Sequence, residues 1–224
     1  MDKFDVLVIA AHPDDEALGC SGAMAKHVSA GDRVHVIFMT NGVDSRNNTA
    51  NSDVKKRQVS AQKSADRLAT TSMVSFDFPD NKMDSIPLLD VVKKVESKII
   101  QLQPEIIYTH HIGDLNVDHQ VTHKAVMTAC RPKPGMCVKE IYIFEVPSST
   151  EWQTSGFRPF SPNVYVDITD YIDIKKQVLE IYSEEMHQPP HSRSVDNVLR
   201  LNALRGNSVG VDYAEAFMLI RMSR

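Results

Sequence analysis

Two clusters of metal-binding and proton-transferring side chains occur in this chain, each directly after an apolar run. The first, His12-Pro13-Asp14-Asp15-Glu16, follows Val6-Leu7-Val8-Ile9-Ala10-Ala11. The second runs from His110 and His111 through Asp114, Asn116, Asp118 and His119 to His123, and follows Ile106-Ile107-Tyr108-Thr109. Imidazole and carboxylate together are the donor set of a catalytic zinc that keeps one position open. Neutral imidazoles with a single carboxylate leave the ion net positive, which lowers the pKa of a bound water from about 15.7 toward 7. No Cys-x-x-Cys pair is present, which argues against a structural zinc. His119 and His123 stand one helical turn apart, and on spacing alone that pair is itself an attractive metal site.

The elements that must carry these clusters are legible from hydrophobic periodicity. Apolar runs at 5–11, 33–40, 106–109 and 141–146 read as buried strands, with 74–78 and 164–168 as shorter ones. Helical spacing covers 19–30 (closed by Gly31), 52–69, 88–102 (stopped by Pro104), 118–129 and 172–186. Residues 41–51 read as an exposed polar loop, and 187–224 mixes Pro189-Pro190, a helical run and the apolar Ala214-Glu215-Ala216-Phe217 stretch. Strand and helix in alternation predict an α/β fold built on a parallel sheet. Ligands of such sheets sit beyond the carboxyl ends of the strands, where both clusters fall.

With 224 residues, 42% of them hydrophobic and 24% charged, the chain reads as one ordinary globular domain over 1–224. A net charge of -4 argues against nucleic acid as a partner. No run approaches the roughly 18 to 20 apolar residues of a membrane span. The chain enters its first strand within a few residues of Met1, so no signal peptide is expected. Three cysteines without a framework suit a reducing compartment, and a cytoplasmic location is expected. Cys20 is expected to be a small buried hydrophobe at a helix start. His27 and His35 have no motif context and are expected to be structural.

Ala11-His12-Pro13-Asp14-Asp15-Glu16 resembles the signature of the LmbE/PIG-L family of zinc-dependent de-N-acetylases. Asp114-Leu115-Asn116-Val117-Asp118-His119 resembles its second motif. Pro190-His191-Ser192-Arg193-Ser194, Arg205-Gly206 and Ala214-Glu215-Ala216-Phe217 are similar to one bacterial branch, so the resemblance spans the chain. It implies a Rossmann-like three-layer sandwich with a mostly parallel sheet and a metal at its carboxyl edge. It implies His12, Asp15 and His119 as ligands of Zn2+ or, in the cell, Fe2+. Asp14 is implied as general base, Asp118 as the group orienting an imidazole, and Arg57 and Asp80 as substrate contacts. Glu16 is expected to serve the first turn of helix 1.

One departure concerns catalysis. Several family members carry a histidine where this chain has Asn116. An amide can donate to an oxyanion but cannot deliver a proton. The acid is then a recycled Asp14 or another histidine, with His191 first and His110, His111 and His123 after it. Arg193 and Arg205 are read as contacts for a substrate phosphate or carboxylate, against ordinary ion pairing. Trp152, Phe157 and Phe160 are read either as a sugar-stacking lip or as a loop packed on the core. The expectation is hydrolysis of an acetyl amide on a small-molecule N-acetylated sugar or its conjugate. Rival readings are hydrolysis of another N-acyl amide and a metal- or sugar-binding relative without turnover. A homo-oligomer is compatible with the sequence, and no dinucleotide fingerprint follows strand 1.

Overall fold

The computed structural model describes residues 3–44, 51–156 and 159–223. Its elements in chain order are β1 (Asp5–Ala10), α1 (Asp15–Gly19), α2 (Ser21–Ala30), β2 (Arg33–Thr40), α3 (Asn51–Arg67), β3 (Ser72–Phe78), α4 (Leu88–Leu102) and β4 (Ile106–His110). There follow α5 (Val117–Ala129), β5 (Glu140–Phe144), β6 (Val164–Asp167), α6 (Ile172–Ile181), α7 (Val195–Asn207) and β7 (Ala214–Met222).

The strands form one sheet in the order β3-β2-β1-β4-β5-β7-β6. The first five in that order are parallel, and β7 runs antiparallel to both β5 and β6. Strand β1 is buried on both faces. Val6, Val8 and Ala10 join a core with Ala17, Met24, Ala61, Val178 and Val198 of α1, α2, α3, α6 and α7. Leu7 and Ile9 point the other way, onto Val91, Val95, Val121 and Ala125 of α4 and α5. The chain winds outward from β1 to β3, then returns to lay β4 against β1's other edge. Strand order therefore reverses between β1 and β4, where a crevice opens at the carboxyl ends. Both chemical clusters emerge there.

Most elements fall within two residues of their expected bounds, and three differences have physical causes. The expected helix 19–30 is α2, but a further short helix, α1, precedes it, and the two meet at Cys20, whose φ of -150° breaks the turn. Lys175 Nζ donates to the Ala17 and Leu18 carbonyls at 3.0 and 3.1 Å, and Glu215 accepts from the Gly22 and Ala23 amides at 2.9 and 2.7 Å. The two charges pair at 2.6 Å in complete burial, a cation on the closing end of α1 and an anion on the opening end of α2. The helix expected over 172–186 ends at Ile181, because its remainder joins an irregular strap, 182–194, that crosses the sheet's carboxyl edge. The stretch beginning at Ala214 is a strand, β7, inserted between β5 and β6. No described helix is long and apolar enough to cross a membrane.

Candidate metal centre

After Ala10 the chain turns sharply. Asp14 takes a φ of +129°, which side-chain-bearing residues rarely adopt. Glu16 braces that turn. Its Oε2 accepts the Asp14 N–H at 3.0 Å, and its Oε1 accepts from Ser64 Oγ and Tyr182 Oη at 2.8 and 2.7 Å. Burial pushes the Glu16 carboxyl up to about 7 against those bonds. Arg57 on α3 ties the same turn to the β2 loop, donating to the Pro13 and Gly42 carbonyls at 2.7 and 3.1 Å.

This turn sets His12 beside Asp15, and α5 brings His119 to them from the second cluster. His12 Nδ1 lies 3.2 Å from Asp15 Oδ2 and 3.2 Å from His119 Nε2, and the latter two atoms are 3.3 Å apart. Three ligands at about 2.1 Å on a tetrahedral ion stand ~3.4 Å from one another. The near-equilateral triangle therefore fits a divalent ion. The other oxygen of the same carboxylate, Asp15 Oδ1, is buried with no hydrogen-bond partner among the described residues.

Each imidazole is backed by carboxylates on its outer nitrogen, the arrangement that orients metal-binding histidines. His12 Nε2 faces Asp118 Oδ2 and Asp80 Oδ1, both at 3.2 Å. Asp118 is itself fixed by the Asn81 and Met83 amides at 2.6 and 3.0 Å. His119 Nδ1 lies 3.1 Å from Asp114 Oδ1, and Asp114 accepts from Thr150 Oγ1, Ser149 Oγ and the Asn116 amide. Burial opposes charge on both rings, but the carboxylates prevail. Asp118, Asp15 and Asp80 raise His12 well above the ordinary histidine range, and Asp15 and Asp114 push His119 up to about 9. Burial likewise opposes charge on Asp15, yet the charge and hydrogen bond of His119, with a hydrogen bond from His12, hold its carboxyl well below its usual range.

His110 is different. It is wholly buried and stacked on His119 at 3.9 Å, and its Nε2 accepts the Ala11 N–H at 2.8 Å. Burial and then His119 hold it well below 6.5, so it stays neutral and supplies no proton at neutral pH. His123 donates to the His110 carbonyl at 2.8 Å, and His111 packs edge-on against Phe160.

The centre opens on a cleft of about 180 Å³ lined by His12, Asp14, Asp80, Asn81, Asn116 and His119, with Gly42, Arg57, Glu185 and Arg193 around them. Two guanidiniums grip Asp14 Oδ2, Arg193 Nη1 at 3.2 Å and Arg57 Nη1 at 3.4 Å. Burial still pushes the Asp14 carboxyl above its usual value, against the pull of both arginines.

The structure places the remaining expected residues as follows. Arg57 lines the cleft and is engaged by Pro13, Asp14, Gly42 and, at 2.7 Å, Glu185 of the strap. Asp80 stands behind His12 as a brace, although it also lines the cleft. Arg205 is away from the cleft, forked onto Glu145 at 2.8 Å on both arms and lying over Phe160. His191 is absent from the cleft lining; its Nδ1 accepts the Arg193 N–H at 3.0 Å, and its ring meets Trp152 and His187. Asn116 caps α5, its Oδ1 accepting the Asp118 N–H at 2.8 Å. Arg193 does line the cleft. Trp152 is half exposed, Phe160 packs on the core beside His111, and Phe157 lies outside the described residues. Cys20 is buried, and burial raises its thiol well above its ordinary value. His27 is held by Asp32 and Tyr108, and His35 by Ser72 and Asp5.

Residues that sequence reasoning missed are Asn81, Glu185 and the bracing role of Asp114. Asn81 carried a signal in its Pro-Asp-Asn turn, since asparagine is enriched at left-handed positions and its φ is +52°. The partners of Glu185 are remote in sequence and left none.

The family model for PIG-L, GlcNAc-PI de-N-acetylase, matches residues 7–130, which contain the entire triangle and its carboxylate backing. This chain belongs to the PIG-L family. Among curated proteins, it is similar to the uncharacterized deacetylase YaiS of Escherichia coli K12, with 28% identity over 181 residues, 78% of this chain and 88% of that protein. Among solved structures it resembles N,N'-diacetylchitobiose deacetylase from Pyrococcus horikoshii, with a TM-score of 0.79 at 18% identity over 98% of this chain and 85% of the other. GalB, the 4-carboxy-2-hydroxymuconate hydratase of Pseudomonas putida KT2440, superposes with a TM-score of 0.77 at 23% identity over 99% and 98% of the two chains. At those identities the solved structures establish the shared PIG-L (LmbE-like) fold, a seven-stranded, mostly parallel sheet between helical layers. PIG-L membership places the chain among enzymes of the deacetylase family.

Proposed function

We propose that this protein is a metal-dependent hydrolase that removes the acetyl group from an N-acetylated amino sugar or its conjugate. The observation that carries the reading is the donor triangle of His12, Asp15 and His119 opening on a cleft in which Asp14 is the flanking carboxylate. A divalent ion, zinc or Fe2+, supplies Lewis acidity there when bound.

The chain's own groups divide the remaining work. Asp14 takes the proton of the attacking water, and Arg57 and Arg193 fix the direction of its carboxylate. Apart from His12 and His119, no histidine among the described residues lines the cleft, so Asp14 also returns that proton to the departing amine. Asn116 donates to the oxyanion in place of the histidine of other family members. A small, polar cleft suits an acetamido group on a hydrophilic carrier better than a long acyl chain. The likeness to a diacetylchitobiose deacetylase supports a sugar substrate.

The test is amine release from a panel of N-acetylated sugars, using metal-loaded protein, stripped protein and Asp14→Asn. Release that needs the metal and vanishes in the variant is expected. Because one similar structure is a hydratase, the panel includes an unsaturated dicarboxylic acid, on which no water addition is expected. Stoichiometric metal with no amine from any acetylated sugar would reject the reading.

A further inference from the structure

The turn that follows β3 and the N-terminus of α5 meet through two asparagines. Asn116 Oδ1 accepts the Asp118 N–H at 2.8 Å, and a backbone N–H can only donate, so the orientation of this amide is settled by the fold. Its Nδ2 then faces Asn81 Oδ1 at 3.0 Å, a donor against an acceptor. One of the two Nδ2 hydrogens is taken by that bond. The other has no acceptor among the described residues, and Asn116 lines the cleft one helical turn before His119.

Asn81 is well held for such a task. Its own N–H donates to Asp118 Oδ2 at 2.6 Å, the same oxygen that faces His12 Nε2. Its φ of +52° is a left-handed conformation that asparagine, aspartate and glycine tolerate and other residues resist. One turn thereby braces a metal-binding imidazole through its backbone and the Asn116 amide through its side chain.

We propose that Asn81 is a positioning residue: its side-chain oxygen fixes the Asn116 amide so that the second N–H of Asn116 faces the acyl oxygen of the substrate. The inference rests on the hydrolytic reading above. It assigns a role to a residue outside both sequence motifs. The amide is preorganised before charge develops, which is what gives an oxyanion donor its effect.

Three substitutions isolate the contact. Asn81→Gly keeps the positive φ and the N–H to Asp118 and removes the side chain that carries the acceptor. Asn81→Asp keeps the φ and restores an acceptor at the same place. Asn116→Asp keeps the oxygen that caps α5 and removes the donor. Amine release by metal-loaded protein is measured together with metal content and melting temperature. Asn116→Asp is expected to lower kcat by roughly 10²-fold or more, the loss typical of an oxyanion donor. Asn81→Gly is expected to lower kcat about tenfold with KM within about twofold and metal content intact, the pattern of a contact felt in the transition state. Asn81→Asp recovers most of that loss, and Asn81→Gly adds less than about twofold in the Asn116→Asp background. Wild-type kcat in Asn81→Gly, an equal loss in Asn81→Asp, or full additivity with Asn116→Asp each overturns the inference while leaving the hydrolytic reading intact. A wild-type protein that releases no amine overturns both.

Discussion

His12 Nδ1 and His119 Nε2 face each other at 3.2 Å, although 107 positions separate the two residues in the chain. Two imidazole lone pairs at that distance repel unless a cation lies between them or one nitrogen carries a proton. Asp15 Oδ2 completes the group at the same spacing.

Metal content is the first expected consequence. The protein should retain about one divalent ion per chain after dialysis, and His119→Ala should retain none, as read by elemental analysis. Asp114→Asn keeps the ligands but weakens the carboxylate that backs His119, and should lower metal affinity on the order of 10–100-fold.

Protons and metal compete for the same nitrogens. In the stripped protein His119 holds a proton up to about 9, and His12 is raised well above 6.5. Metal uptake at pH 7 should release on the order of one to two protons, measurable by calorimetry in buffers of different ionisation enthalpy. A folded-state pKa above the unfolded one stabilises fully below about 6.5, and that contribution disappears as pH rises through about 9. The stripped protein should therefore lose thermal stability between those values. His110, held low, sets a penalty only below about 6.5 and leaves that window unaffected. The loaded protein, whose nitrogens are no longer protonated, should show only the smaller decline near pH 7 that the raised Glu16 carboxyl leaves in both forms.

Asp14→Asn should retain the ion and lose about 10²–10⁴ in kcat, because the amide cannot accept the water's proton. A variant that loses metal in proportion to activity would show that Asp14 shapes the ligand turn and has no chemical part.

Lys175→Met should destabilise the fold by about 3–5 kcal/mol in denaturant titrations, since it strands the buried Glu215 charge. Glu215→Gln added to it should recover part of the loss. Recovery stays incomplete because Glu215 also receives the amides that open α2.

Legibility in the sequence tracked the range of the governing interaction. His12, Asp15 and His119, which the fold brings together, lie in two short motifs and were singled out by the family resemblance. Strand β1 is a contiguous apolar run and was readable along the chain. The break at Cys20 was not, because Lys175 and Glu215 produce it from more than 150 positions away. Arg57 and Arg205 show the same limit: a guanidinium reveals nothing of its acceptor, and Glu145 lies 60 positions from Arg205. Strand β7 was obscured because its pairing partners, β5 and β6, flank it in space and precede it in the chain.

The ion pair between Lys175 and Glu215 also ties remote parts of the chain to the short helix on which Asp15 sits. The α1–α2 junction receives its cation from α6 and its anion from β7. With β7 out of the sheet, Lys175 would be left buried without the carboxylate that meets it at 2.6 Å. A strand on the far side of β5 thereby helps to hold the helix that begins at a ligand of the candidate metal centre.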